Sequence, residues 1–259
     1  MPELAEVEYY RRLAETSLGR VITGVDAPDA WFLKKGLTGR ALRAAVKGRS
    51  FTTARRIGKL LLLDTGGPVV GLRFGMTGVL LVDGSRGIDD LVYGSGRDEP
   101  AWDRVTFRFA DGGDLRVRDP RRLGAVELDP DESKLGVDAW TITAAELRAA
   151  LGTSTAPLKA RLMDQSRLAG VGNLAVDEIL WRAGLDPARP AVGLSAAEHR
   201  RLHAHLRATF DDLVNGGGSH TGTLQLHRVP GGRCPKDGAE LLRRTIGTRT
   251  TWSCPRHQT

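Results

Sequence analysis

"KLLLLDTGGPVVGLR", Lys59 to Arg73, reads as two strands around a turn. The run Lys59–Asp64 is short and aliphatic, Val69–Arg73 opens on two β-branched residues, and the Thr-Gly-Gly between them is turn chemistry. The same pattern extends outward from Val21 to about Val126. Val105–Phe109 and Leu115–Arg118, for example, flank Ala-Asp-Gly-Gly. This predicts an antiparallel β domain, a sandwich, with the Gly-, Asp-, Ser- and Arg-rich stretch Gly84–Pro100 as a long mobile loop inside it. Ahead of it Leu4, Val7, Tyr10, Ala14 and Leu18 fall at helical spacing with Gly19 as the stop. Residues 2 to about 18 are therefore expected to form an amphipathic helix carrying Glu3 and Glu6 on one face of its first turn.

Past a polar linker the pattern turns helical. Thr143 with Glu146, and Ser195 with Glu198, have the spacing of capping boxes, and helices are expected near 143–151, 157–164, 173–183 and 195–214. From Leu224 the chain reads as a small β-ribbon. The expected division is thus 1–128, a linker over 129–141, 142–223, and 224–259: an α+β multidomain protein.

The chain of 259 residues carries 38 Lys+Arg against 31 Asp+Glu, a net +7. From Arg228 onward seven basic residues face two acidic ones, so the excess is concentrated at the C-terminal end. That placement favours a polyanionic partner. No aliphatic run approaches a bilayer span and the opening MPELAEVE is acidic where a secretory signal would be basic, which predicts a cytoplasmic protein.

The two cysteines of the chain lie in the ribbon, and a reducing compartment disfavours a lasting disulfide between them. Cys234-Pro-Lys-Asp237 and Cys254-Pro-Arg-His257 have the spacing of two ligand pairs in a zinc ribbon. The favoured reading is one structural Zn²⁺ held by two thiolates, an imidazole and a carboxylate; two buried thiols with two surface residues is the alternative. A second signal, Leu168-Ala-Gly-Val-Gly-Asn173, precedes a helix and suits a phosphate at free N–H groups, although an ordinary turn with an Asn cap reads the same way. Finally, Pro2 becomes a secondary amine once Met1 is removed. Such an amine can attack a sugar carbon and form an iminium, whereas the plain alternative is a proline suited to a helix start.

Taken in order, MPELAEVE, Arg55-Arg-Ile-Gly-Lys59-Leu-Leu-Leu-Leu-Asp64, Gly75-Met-Thr-Gly78, Asp119-Pro-Arg-Arg-Leu-Gly124, Leu162-Met-Asp-Gln165 through Asn173, and the terminal ribbon resemble the formamidopyrimidine-DNA glycosylase and endonuclease VIII family over essentially the whole chain. The resemblance implies a β-sandwich with an N-terminal helix, a helix–two-turn–helix domain and a C-terminal β-hairpin zinc finger, with duplex DNA bound in a cleft between the two halves. It implies Pro2 as nucleophile, Glu3 as the adjacent acid, Lys59 as a cation near the reacting nucleotide, and Glu6 in support. Met76, Arg121 and Leu123 would fill the hole left by an extruded base, while Lys159, Asn173 and Arg249 would hold phosphates.

The implied activity is excision of oxidised or ring-opened bases with β,δ-elimination at the abasic site, by a monomer associated with the nucleoid. The alternative is a non-catalytic damage-binding protein on the same scaffold, a role that needs neither Pro2, Glu3 nor Lys59. Three departures from the pattern stand out: Ala5 where proline is usual, Asp237 and His257 where cysteines are usual, which leaves a metal-free finger open, and a short connection after Gly218.

Overall fold

A computed structural model describes every residue except Met1, Asp89, Asp90, Val92, Tyr93, Ser95 and Gly96. The chain forms two compact units, one of Pro2 with Glu6–Glu132 and one of Glu3–Ala5 with Ser133–Thr259.

The first unit contains most of α1 (Leu4–Glu15), then β1 (Ile22–Asp26), α2 (Gly39–Val46), β2 (Thr53–Ile57), β3 (Leu60–Asp64), β4 (Val69–Arg73), β5 (Val79–Val82), β6 (Ser85–Arg86), β7 (Asp103–Phe109), β8 (Asp114–Arg118) and β9 (Ala125–Leu128). These strands make a five-stranded sheet ordered β1-β7-β8-β5-β6 and a four-stranded sheet ordered β2-β3-β4-β9, with antiparallel neighbours throughout. On β7 only alternate residues, Val105, Phe107 and Phe109, are buried, as expected of a strand with one wet face.

All four leucines of β3, by contrast, are buried. Leu61 and Leu63 join the core with Val70, Leu72, Phe107 and Val117. On the opposite face Leu60 and Pro130 close over Gly71, where a Cβ would stand 2.8 Å from Pro130 Cγ. Coverage on both sides is why an unbroken leucine run is a strand here, and each such burial is worth about 1.5–3 kcal/mol. Part of the loop expected over Gly84–Pro100 is instead β6; Asp89, Asp90, Val92, Tyr93, Ser95 and Gly96 lie outside the described residues.

The second unit contains β10 (Val137–Asp138), α3 (Ala144–Leu151), α4 (Leu158–Leu162), β11 (Leu168–Ala169), α5 (Asn173–Ala183), α6 (Ala196–Gly216), β12 (Leu242–Ile246) and β13 (Arg249–Ser253). Both capping boxes are present, at Thr143/Glu146 and Ser195/Glu198. The expected linker is partly structured, since Val137 and Asp138 pair in parallel with Leu168 and Ala169, and Ala139 and Ile142 are core residues. Leu4 and Ala5 are buried in this core as well.

Strands β12 and β13 pair through a two-residue turn, Gly247 (φ 55°) and Thr248 (φ 65°), as a type I′ hairpin requires. Beneath the hairpin Trp252, Leu241, Leu224 and both cysteines pack with Trp181 of α5. The ribbon thus shares its small core with the helical part of the unit. Among the described residues no helix is long and apolar enough to cross a membrane.

Candidate active site and DNA-binding surface

The N-terminal motif folds into a fixed arrangement. Pro2 is buried and Glu3 is only 1% exposed. The Glu3 carboxylate accepts hydrogen bonds from Leu174 N (2.9 Å) and Ala175 N (3.0 Å), the first-turn donors of α5. A helix N-terminus has unpaired N–H groups and a positive dipole end, so an anion is stabilised there. Gly172 makes the approach possible, because a Cβ at that position would stand 2.0 Å from Glu3 Cδ. The expectation of free N–H groups for a phosphate at this helix is therefore corrected: two of them are taken by Glu3. Gly172, not Asn173, is the N-cap.

The loop before α5 is braced by Gln165, whose Oε1 accepts from Gly170 N (3.0 Å) and whose Nε2 donates to Val171 O (3.0 Å). Asn173 occupies the first helical position with its Oδ1 buried and unpaired among the described residues. In the first unit Glu6 is buried, and Lys59 follows Gly58 (φ 56°) in the two-residue turn between β2 and β3, half-buried.

The three expected wedge residues sit on two loops organised by one buried acid. Asp119, fully buried, accepts Thr77 Oγ1 (2.6 Å) and Arg121 N (3.1 Å) on Oδ1, and Leu123 N and Gly124 N (both 2.8 Å) on Oδ2. Thr77 belongs to the β4–β5 loop and the other donors to the β8–β9 loop, so the carboxylate ties the two together. Gly75 (φ 57°) leaves room for the crossing, since a Cβ there would be 2.4 Å from the Leu123 carbonyl carbon. As a result Met76 Sδ lies 3.5 Å from Arg121 Nη1, and Leu123 is 51% exposed.

Lys159 requires correction. Its side chain is completely buried, with Nζ bonded to Asp177 Oδ1 (2.8 Å), Thr251 Oγ1 (2.8 Å) and Thr250 O (3.1 Å). Three donors meet three acceptors, leaving none for a phosphate. Asp177, equally buried, also accepts Arg228 Nη2 (2.9 Å) and Trp252 N (3.1 Å). Lys159 and Asp177 thereby join α4 and α5 to β13, whose first residue, Arg249, is exposed beside the hairpin turn.

In the ribbon Cys234, Asp237, Cys254 and His257 each present a ligand atom, all within 4.8 Å of one another, and neither thiol is bridged. The surroundings suit a metal. His257 directs Nε2 to Trp181 O (3.1 Å), which fixes the ring and leaves Nδ1 facing the cluster, as in a metal-ligating histidine. Trp181 Nε1 and Arg256 N donate to Cys234 Sγ (3.3 Å) and Cys254 Sγ (3.4 Å), so both sulfurs are held facing the cluster. The Asp237 carboxyl is held well below its usual range, first by the Ala239 N–H and then by His257, so it stands ready as an anion. This donor set is compatible with a structural zinc.

Residues 1–126 match the formamidopyrimidine-DNA glycosylase N-terminal domain and residues 135–224 match the H2TH domain of the same enzymes. The chain belongs to the formamidopyrimidine-DNA glycosylase family. Formamidopyrimidine-DNA glycosylases of Salinispora arenicola (34% identical, covering 100% of this chain and 96% of that one) and Alkalilimnicola ehrlichii (32%, covering 98% and 99%) align with it nearly end to end. Among solved structures, the Lactococcus lactis glycosylase non-covalently bound to DNA containing an abasic site superposes with a TM-score of 0.83 at 26% identity, each chain covered completely. The same enzyme in complex with DNA containing Fapy-dG gives 0.83 at 27%, covering 99% of this chain and 100% of that one.

Two structural roles in this glycosylase escaped the sequence reading. Asp119 carried a signal, an Asp two residues ahead of Arg121 and just before a proline, which is a turn-forming arrangement. Asp177 carried none, since an acid inside a helix normally reads as a solvated position.

Proposed function

We propose that this family member is a base-excision-repair DNA glycosylase with abasic-site lyase activity, working through the secondary amine of Pro2. The observation that carries the reading is the N-terminal proline followed directly by a buried carboxylate held on a helix N-terminus. The Pro2 nitrogen would attack C1′ and displace the damaged base, leaving an iminium. The Glu3 carboxylate would take up the proton shed by the attacking Pro2 nitrogen and pass it to the sugar ring oxygen as the ring opens. The iminium acidifies the C2′ proton; its loss expels the 3′ phosphate, and a second elimination expels the 5′ phosphate. Lys59 and Glu6 would act beside this centre, Met76, Arg121 and Leu123 would occupy the vacated stack, and Asn173 and Arg249 would hold phosphates. Abasic-site and formamidopyrimidine-containing duplexes are the substrates proposed, which would place the protein with the nucleoid.

Borohydride added during reaction with an abasic-site duplex is expected to trap a protein–DNA adduct. Pro2→Gly is expected to slow trapping greatly while leaving DNA binding largely intact. Strand cleavage without any adduct in the parent protein would assign the chemistry elsewhere and return the scaffold to a binding role.

The ribbon would hold one structural zinc through Cys234, Asp237, Cys254 and His257. The ion would cross-link the two Cys-Pro turns and so fix the hairpin bearing Arg249. Elemental analysis should find about one zinc per chain, the occupancy of a single four-ligand site, and Cys254→Ser should lower both metal content and DNA affinity. Metal-free protein with full DNA affinity would show that the finger stands without the ion.

A further inference from the structure

Trp31 is 65% exposed, unusual for so large an apolar side chain, and it stands at the middle of a single 3₁₀ turn, Ala30–Phe32. That turn is fastened to the β8–β9 loop. Asp29 caps the turn through Trp31 N (3.1 Å) and receives both Nε (2.6 Å) and Nη2 (2.7 Å) of Arg122, the residue between Arg121 and Leu123. Next along the chain, Phe32 packs beneath Gly124, where a Cβ would lie 2.8 Å from Phe32 Cζ. Lys34 N then bonds Val126 O (3.0 Å). Trp31 is therefore held on the same rigid support as the wedge.

Its electrical setting is one-sided. Lys34 Nζ sits 4.4 Å from the centre of the indole, while Lys35 and Arg122 each keep half of their side chain in solvent. The acids that partner this group, Asp29 and Glu127, are themselves buried. An exposed indole backed by cations, with its counter-charges withdrawn from the surface, fits a polyanion that also offers flat apolar surface.

We propose that Trp31, with Lys34, forms a second DNA contact: the indole packs against the sugar and base edge of a nucleotide flanking the wedge, and Lys34 lies on its phosphate. The proposal rests on the DNA-repair reading above. Aromatic contacts with nucleic acid are sequence-tolerant, as an enzyme that must search any sequence needs, and losing one typically weakens binding by roughly tenfold or more.

Trp31→Ala is expected to raise Kd for a tetrahydrofuran duplex and KM for an abasic-site duplex by about tenfold, with the loss in binding rather than in the single-turnover rate on the abasic site at saturating duplex. Trp31→Phe should recover most of that affinity. Lys34→Met should lower the slope of log Kd against log salt by about one contact, whereas Trp31→Ala should not. A tenfold loss shared equally by Trp31→Phe, or accompanied by a lower unfolding midpoint, would mean the side chain only supports the fold and would overturn the proposal. So would unchanged affinity in Trp31→Ala while the parent protein still traps the borohydride adduct. Absence of that adduct in the parent protein would instead remove the repair reading itself.

Discussion

Asp177→Ala is expected to destabilise the second unit by about 3–5 kcal/mol, the usual cost of breaking one side of a buried ion pair. The substitution strands Lys159, wholly out of solvent, and removes a partner from Arg228 and from Trp252 N. Burial already lowers the Lys159 pKa below its ordinary value, and Asp177 opposes that shift. A lysine whose folded pKa is depressed binds fewer protons in the folded than in the unfolded state. Its stability contribution therefore rises with pH, from the folded pKa up to the unfolded value near 10.5. Without Asp177 that window opens at lower pH, so the variant's urea midpoint should climb more steeply toward alkaline pH than the parent's. A loss below about 1 kcal/mol, typical of a surface pair, would show that the pair is not sealed from water.

Glu3→Gln is expected to reduce base excision by roughly 10²–10⁴-fold, the range for a positioned proton donor, and to cost about 1 kcal/mol of stability through the loss of an anionic helix cap. The two effects share a cause. Both carboxylate oxygens are aimed by Leu174 N and Ala175 N. A glutamine must turn its NH₂ toward one of those N–H donors, which misaligns the group and leaves a buried donor unpaired. Single-turnover assays should show excision of a base impaired more than strand cleavage at a preformed abasic site, because the latter needs no base departure. Equal impairment of both would assign Glu3 to a purely structural cap.

What could be read from the sequence depended on how far the deciding contact lies along the chain. Thr143 and Glu146, or Ser195 and Glu198, solve their helix starts within three residues, and the four leucines of β3 announce burial outright. The Cys-Pro pairs were legible as one cluster, since their repeated spacing brings ligand atoms of Cys234, Asp237, Cys254 and His257 within 4.8 Å of one another. Glu3, however, caps a helix that begins 170 residues later, and no local pattern encodes that pairing. Lys159 was expected to hold a phosphate because the family resemblance implied it; its partners, Asp177 and Thr251, meet it only in the folded unit. Trp31 carried no signal because, beside Phe32 and Leu33, it reads as one more core residue, and only the fold separates the buried Phe32 from the exposed indole.

The carboxylate of Asp119 has a kinetic meaning as well as a geometric one. With Thr77 on one of its oxygens and Leu123 on the other, Met76 and Leu123 are not two independent probes but two teeth of one part. As the wedge proposed above, such a part would not enter a base stack in stages, nor would it lose much freedom on entering, because its loops are ordered beforehand. Interrogation of DNA by that proposed wedge would then be a repeated push by a stiff tool, in which the yielding member is the helix at its weakest step. The enzyme would find damage by where the duplex gives way.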